Sequence, residues 1–112
     1  MTAMRMKRVL TGMLVMSAVW APAFAEDVYT VEIKEHRFVP ERLAVPTGKK
    51  FKLVVENRDV SPEEFESYDL HREKVVTGNG KITLFLGPLA RGEYKYFGEF
   101  NPTTAQGVLA AE

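Results

Sequence analysis

Cysteine is absent from the 112-residue chain. That removes disulfides, thiolate catalysis and any metal centre that needs sulfur. Small exported domains often use disulfides to supplement a small core. This chain must rely on apolar burial, which favours a packed β-sandwich over a loop-rich scaffold. Methionine is missing after Met16, so a methionine-rich copper(I) site is excluded from the later sequence. Only two histidines occur, His36 and His71, with no His-x-His or His-x-x-His pair. Catalytic signatures are missing too: no Gly-x-Ser-x-Gly elbow, no phosphate-binding loop and no dinucleotide glycine pattern.

The N-terminus is what stands out. Arg5, Lys7 and Arg8 precede an uncharged, mostly apolar run from Val9 to Phe24. The run closes on Ala23-Phe24-Ala25, the small-x-small pattern of signal peptidase sites, and charge returns at Glu26 and Asp27. The alternative is a retained anchor. A 16-residue run is short for a span of about 20, and Pro22 breaks it. The expectation is a signal peptide over 1–25, cleaved after Ala25, and one domain over 26–112 in the periplasm. With no cysteine at the cleavage point, lipid anchoring there is excluded, and no membrane insertion is expected after cleavage. Loss of Arg5, Lys7 and Arg8 leaves 12 basic against 15 acidic residues, a net charge of −3. That balance argues against a nucleic-acid partner, which would require a basic face.

From Asp27 onward the pattern is β. Asp27–Lys34, Lys50–Glu56 and Lys81–Leu86 alternate apolar and polar residues. Arg42–Val45, Glu73–Val76, Glu93–Phe100 and Gly107–Ala111 read as further strands, with Tyr94, Tyr96 and Phe100 at period two. Pro46-Thr47-Gly48, Gly78-Asn79-Gly80 and Gly87-Pro88 mark turns. Asn57–Glu64 reads as a polar loop, and Ser61-Pro62-Glu63-Glu64 could open one short helical turn. The fold class is all-β, a Greek-key sandwich of seven to eight strands.

Several segments carry a resemblance. Val31-Glu32-Ile33, Phe38-Val39-Pro40, Leu43-x-Val45-Pro46-x-Gly48 and Glu56-Asn57-Arg58-Asp59 resemble the opening half of a cupredoxin domain. The segment from Gly92 through Tyr94, Tyr96 and Phe97 to Pro102, followed by Gly107-Val108-Leu109, resembles the closing half. Pro62–Leu70 and Arg72–Val75 are similar to the cupredoxin-like proteins of bacterial periplasmic iron-uptake systems, which pair with high-affinity iron permeases. The resemblance implies a cupredoxin-like fold and a role in iron uptake, with an iron permease or another uptake component as partner.

A blue-copper site needs two His, one Cys and usually an axial Met. The resemblance places these at Glu63, Gly98, Asn101 and Ala105, so all four ligands are missing and no blue-copper site is expected. Carboxylates suit hard ions such as ferric iron, and mixed oxygen and nitrogen donors suit Cu(II). Glu63, Glu64, Glu66 and Asp69 cluster within seven residues, with Glu99 and Asn101 on the loop expected to approach them. The candidate metal residues are therefore Glu66 first, then Glu63, Glu64, Asp69, His71, Glu99, Asn101 and His36. On a strand, Glu64 and Glu66 would share a face. The bland reading is a solvated acidic loop.

Three functions follow. The first is a periplasmic accessory that binds Cu(II) or Fe(III) through carboxylates and passes metal or electrons to an iron permease complex. The second is a metal-free sandwich that docks on a periplasmic or membrane protein. The third, ferrous-iron oxidation, ranks last because the chain supplies no evident redox group.

Overall fold

A computed structural model describes residues 27–112; the expected signal peptide and its cleavage point lie outside the described residues. Nine strands and no helix occur among the described residues. They are β1 (Asp27–Lys34), β2 (Arg37–Val39), β3 (Arg42–Val45), β4 (Phe51–Asn57), β5 (Glu63–Ser67), β6 (Arg72–Val76), β7 (Lys81–Leu86), β8 (Gly92–Gly98) and β9 (Gln106–Ala111). They form a four-stranded sheet, β2-β1-β4-β7, and a five-stranded sheet, β3-β9-β8-β5-β6. β1 runs parallel to β4 and β3 parallel to β9; the other pairs are antiparallel.

Alternation sets the layering, because successive strand residues point to opposite faces. Val31 and Ile33 of β1, Phe51, Leu53 and Val55 of β4, and Ile82, Leu84 and Leu86 of β7 supply one wall of the core. Phe65, Val76, Tyr96 and Leu109 come from the other sheet. Three rings interlock at one end. Phe65 stacks on Tyr96 at 5.0 Å between centroids, and Phe38 meets both edge-on at 6.2 and 4.9 Å. Such pairs add about 0.5–1.5 kcal/mol each beyond burial.

The structure corrects three segments. Arg37–Val39, absent from the strands expected from alternation, is a strand whose Phe38 is buried. Glu63–Ser67, read as the end of a loop or a helical turn, is β5. Its alternation was hidden because a glutamate and a serine take inward positions beside Phe65. β8 also ends at Gly98, leaving Phe100 outside the strand and half exposed.

The turn after β1 shows why one histidine is where it is. Glu35 and His36 both have positive φ, 53° and 58°, as a two-residue hairpin turn requires. The Asp59 carboxylate accepts both of their backbone N–H groups, at 2.8 and 2.9 Å.

Candidate metal centre: an outer carboxylate face over a closed interior

β5 carries acids on both faces. Glu63, Phe65 and Ser67 point inward, while Glu64 and Glu66 point outward. The turn Tyr68–His71 returns the chain as β6, which sets Glu73 opposite Glu66 and Val75 opposite Glu64. On the other flank Glu66 lies opposite Phe97 of β8. Beyond β8, the Glu99 N–H donates to the Glu64 carbonyl at 2.9 Å, which draws Glu99 to the same place.

Three of the expected residues therefore meet. One carboxylate oxygen each from Glu64, Glu66 and Glu99 lies within 4.8 Å of the others. Glu73, absent from the sequence reading, joins them. Its hydrogen bond to Glu64, aided by desolvation and by the charges of Glu73, Glu99 and Glu63, raises the Glu64 carboxyl from the ordinary 4.5 to about 7. The hairpin register was the signal that would have found Glu73, but it required β5 to be recognised as a strand. Oε2 of Glu66 is buried and makes no hydrogen bond among the described residues. The ion pairs of Arg42 and Arg58 go to Glu93, Glu32 and Glu56 rather than to these four acids. Four carboxylates gathered on one face hold protons or attract positive charge.

Glu63 belongs to a different place. It is 1 % exposed and faces the interior. Oε1 accepts the N–H of Glu64 at 2.9 Å and of Phe100 at 2.8 Å. Oε2 accepts Nδ2 of Asn101 at 2.8 Å. Gly98 and Ala105 close the space around it. A Cβ built on Gly98 would lie 2.5 Å from Glu63 Cδ and 2.7 Å from Ala105 Cβ. The loop is tied to itself as well: the Gly98 N–H donates to the Ala105 carbonyl, and the Ala105 N–H to the Asn101 carbonyl, both at 2.9 Å.

The four positions matched to blue-copper ligands thus converge as the resemblance implies, but they do not fit copper. No thiolate or imidazole is among them, and the Glu63 side chain fills the space a side chain on Gly98 would need.

The remaining candidates are placed elsewhere. Asp69 accepts the backbone N–H of Lys95 at 2.8 Å and so pins the β5–β6 turn to β8. His71 adopts a φ of 55° in that turn and lines a surface pocket with Glu66, Tyr68, Arg72 and Glu73. It is outside the carboxylate trio. His36 is in the β1–β2 turn, its Nδ1 3.7 Å from Asp59 Oδ2.

Comparison with known proteins agrees with this architecture. Residues 7–111 match the family profile of the cupredoxin-like domain. An uncharacterized protein of Rickettsia prowazekii (strain Madrid E) is 47% identical over 79 residues, covering 70% of this chain and 63% of that protein. The chain thus matches somewhat less than two thirds of that relative's length. Auracyanin A, a blue copper protein from Chloroflexus aurantiacus, superposes with a TM-score of 0.67 at 14% identity, covering 79% of this chain and 100% of that one. Amicyanin from Paracoccus versutus gives 0.60 at 18% identity, with 79% and 84% covered. A purple cupredoxin from Nitrosopumilus maritimus gives 0.57 at 17% identity, with 74% and 98% covered. At such identities these likenesses establish the fold alone. With nine strands in two sheets and a profile match over nearly its whole length, the chain belongs to the cupredoxin-like domain family.

Proposed function

We propose that the protein is a periplasmic, metal-handling accessory of an iron-uptake system. It takes a Cu(II) or Fe(III) ion on the outer carboxylates of Glu64, Glu66 and Glu99 and passes the ion, or an electron by way of it, to an iron permease complex. One observation carries this reading: three carboxylate oxygens within 4.8 Å of one another. Hard ions prefer such oxygen donors, and the half-exposed face leaves room for an ion to enter and leave. Iron uptake and the permease partner rest on the sequence resemblance.

Calorimetric titration with Cu(II) and with chelated Fe(III) at near-neutral pH tests it. Saturable binding near one equivalent, weakened about tenfold or more by Glu66→Gln, is the expected result. No saturable heat from either ion would end the metal reading.

A second reading, a metal-free docking module, is favoured by the closed interior around Glu63 and by two exposed rings, Tyr68, five residues on, and Phe100, whose backbone N–H donates to Glu63. It expects a protein partner to be retained in the presence of chelator.

A further inference from the structure

The segments tied by Glu63 are distant in sequence. Its own strand, β5, is linked to Phe100 and Asn101, which follow β8. In a blue-copper domain a metal ion joins the corresponding positions through side-chain ligands. Here one carboxylate makes the link, and the residues around it have the sizes and donors that this carboxylate requires. Gly98 has no side chain where Glu63 Cδ and Oε2 lie, 2.5 and 2.7 Å from a Cβ placed there. Ala105 is fully buried beside it. Asn101 presents an N–H to Oε2, and two backbone N–H groups face Oε1. The four positions form one packed and hydrogen-bonded set, unlike a ligand set that has decayed and left a cavity or unpaired polar atoms.

We infer that Glu63 is an internal substitute for the metal ion: its carboxylate takes the space and the cross-linking role of copper, and makes the Gly98–Ala105 loop independent of metal. A second role follows. Glu63 Oε1 receives the N–H of Glu64 and of Phe100, the residue after Glu99. Glu63 is thereby a positioning residue for the backbone that carries Glu64 and Glu99 on the outer face. The inference does not depend on whether that face binds an ion.

The test is hydrogen exchange on the purified protein in excess EDTA, read at the amides of Glu64 and Phe100, with Val55 in β4 as the reference for an intact fold. Both amides are expected to be protected in the unaltered protein without metal. Glu63→Ala is expected to speed their exchange about tenfold or more while Val55 stays protected. If Glu63→Ala does not fold, the pair Glu63→Gln and Asn101→Asp decides. Asn101→Asp alone sets a second carboxylate against Glu63 Oε2 and loosens the loop. Adding Glu63→Gln supplies an amide N–H₂ donor to that new carboxylate and brings protection back. Protection of Glu64 and Phe100 only after Cu(II) is added would overturn the inference. So would exchange unchanged by Glu63→Ala, or a double variant no better protected than Asn101→Asp. None of these outcomes depends on outer-face metal binding, so the inference and the proposed function can fail separately.

Discussion

The Arg72 guanidinium donates a hydrogen bond to the Phe85 carbonyl at 3.2 Å, and so joins β6, the edge of one sheet, to β7, the edge of the other. Its other terminal nitrogen, Nη1, donates to the carbonyls of Leu70 and His71 at 3.3 and 3.2 Å. One side chain therefore spans the open flank of the sandwich and occupies a carbonyl that an incoming strand would otherwise pair with. Arg72→Ala is expected to lower stability by about 1 kcal/mol, since the bonds are long and partly solvated. Urea unfolding reads this directly, and an unchanged midpoint would mean the bridge contributes nothing.

Gly98→Ala forces a methyl group against Glu63 and Ala105. Overpacking of this kind costs about 1–3 kcal/mol. Because the clash is with the Glu63 side chain, the cost is expected to shrink when Glu63→Ala is present as well. A double-mutant cycle gives the coupling, and strict additivity would show that the collision is relieved elsewhere.

Glu64 sets a pH dependence. Its carboxyl is raised to about 7 in the folded protein, first by the hydrogen bond to Glu73, against an ordinary 4.5. The folded state thus holds this proton more tightly than the unfolded chain. Its stabilising contribution is fully present below about 4.5 and is lost as pH rises through 7. Stability should fall across that window, and Glu64→Gln should flatten the fall. Unfolding midpoints at about pH 5 and about pH 8 measure it; parallel profiles for both proteins would count against the pairing with Glu73.

Tyr96 is 1 % exposed, and its hydroxyl has no hydrogen-bond partner among the described residues. Burial alone pushes the phenol upward, so the hydroxyl remains a donor with nothing to donate to. An unsatisfied buried group costs about 1–3 kcal/mol. Tyr96→Phe keeps the ring stacked on Phe65 and edge-on to Phe38 and is expected to leave stability unchanged or raise it by about 1 kcal/mol. A loss of more than that would reveal a bridging water.

Trp20 is the only tryptophan and precedes Ala25. Protein cleaved after Ala25 is expected to show tyrosine emission alone and a mass beginning at Glu26. Tryptophan emission from purified, exported protein would show that the leader is retained.

Most of the sheet framework was legible. Val31 and Ile33, Phe51 to Val55, and Ile82 to Leu86 declare their strands because each inward position is apolar. β5 was obscured because its inward positions include Glu63 and Ser67, and a buried carboxylate reads as a loop residue until its partners are known. Those partners, Phe100 and Asn101, come from a loop far along the chain. Of the four outer acids, Glu64 and Glu66 follow from strand geometry and Glu99 from the loop expected to approach them, whereas Glu73 requires the hairpin register. Both histidines attracted notice as ligands, yet each has the positive φ of a turn. Their backbone role was not readable from residue type.

The order of strands has a consequence for how the chain comes together. β9, the last of the nine, lies between β3 and β8. Neither neighbour touches the other without it, so the five-stranded sheet cannot close until residues 106–111 are present. A nascent chain without it lacks the strand that joins β3 to β8. Closure of so non-local a pairing is slow relative to a local hairpin. A domain built this way completes its five-stranded sheet only after residues 106–111 arrive.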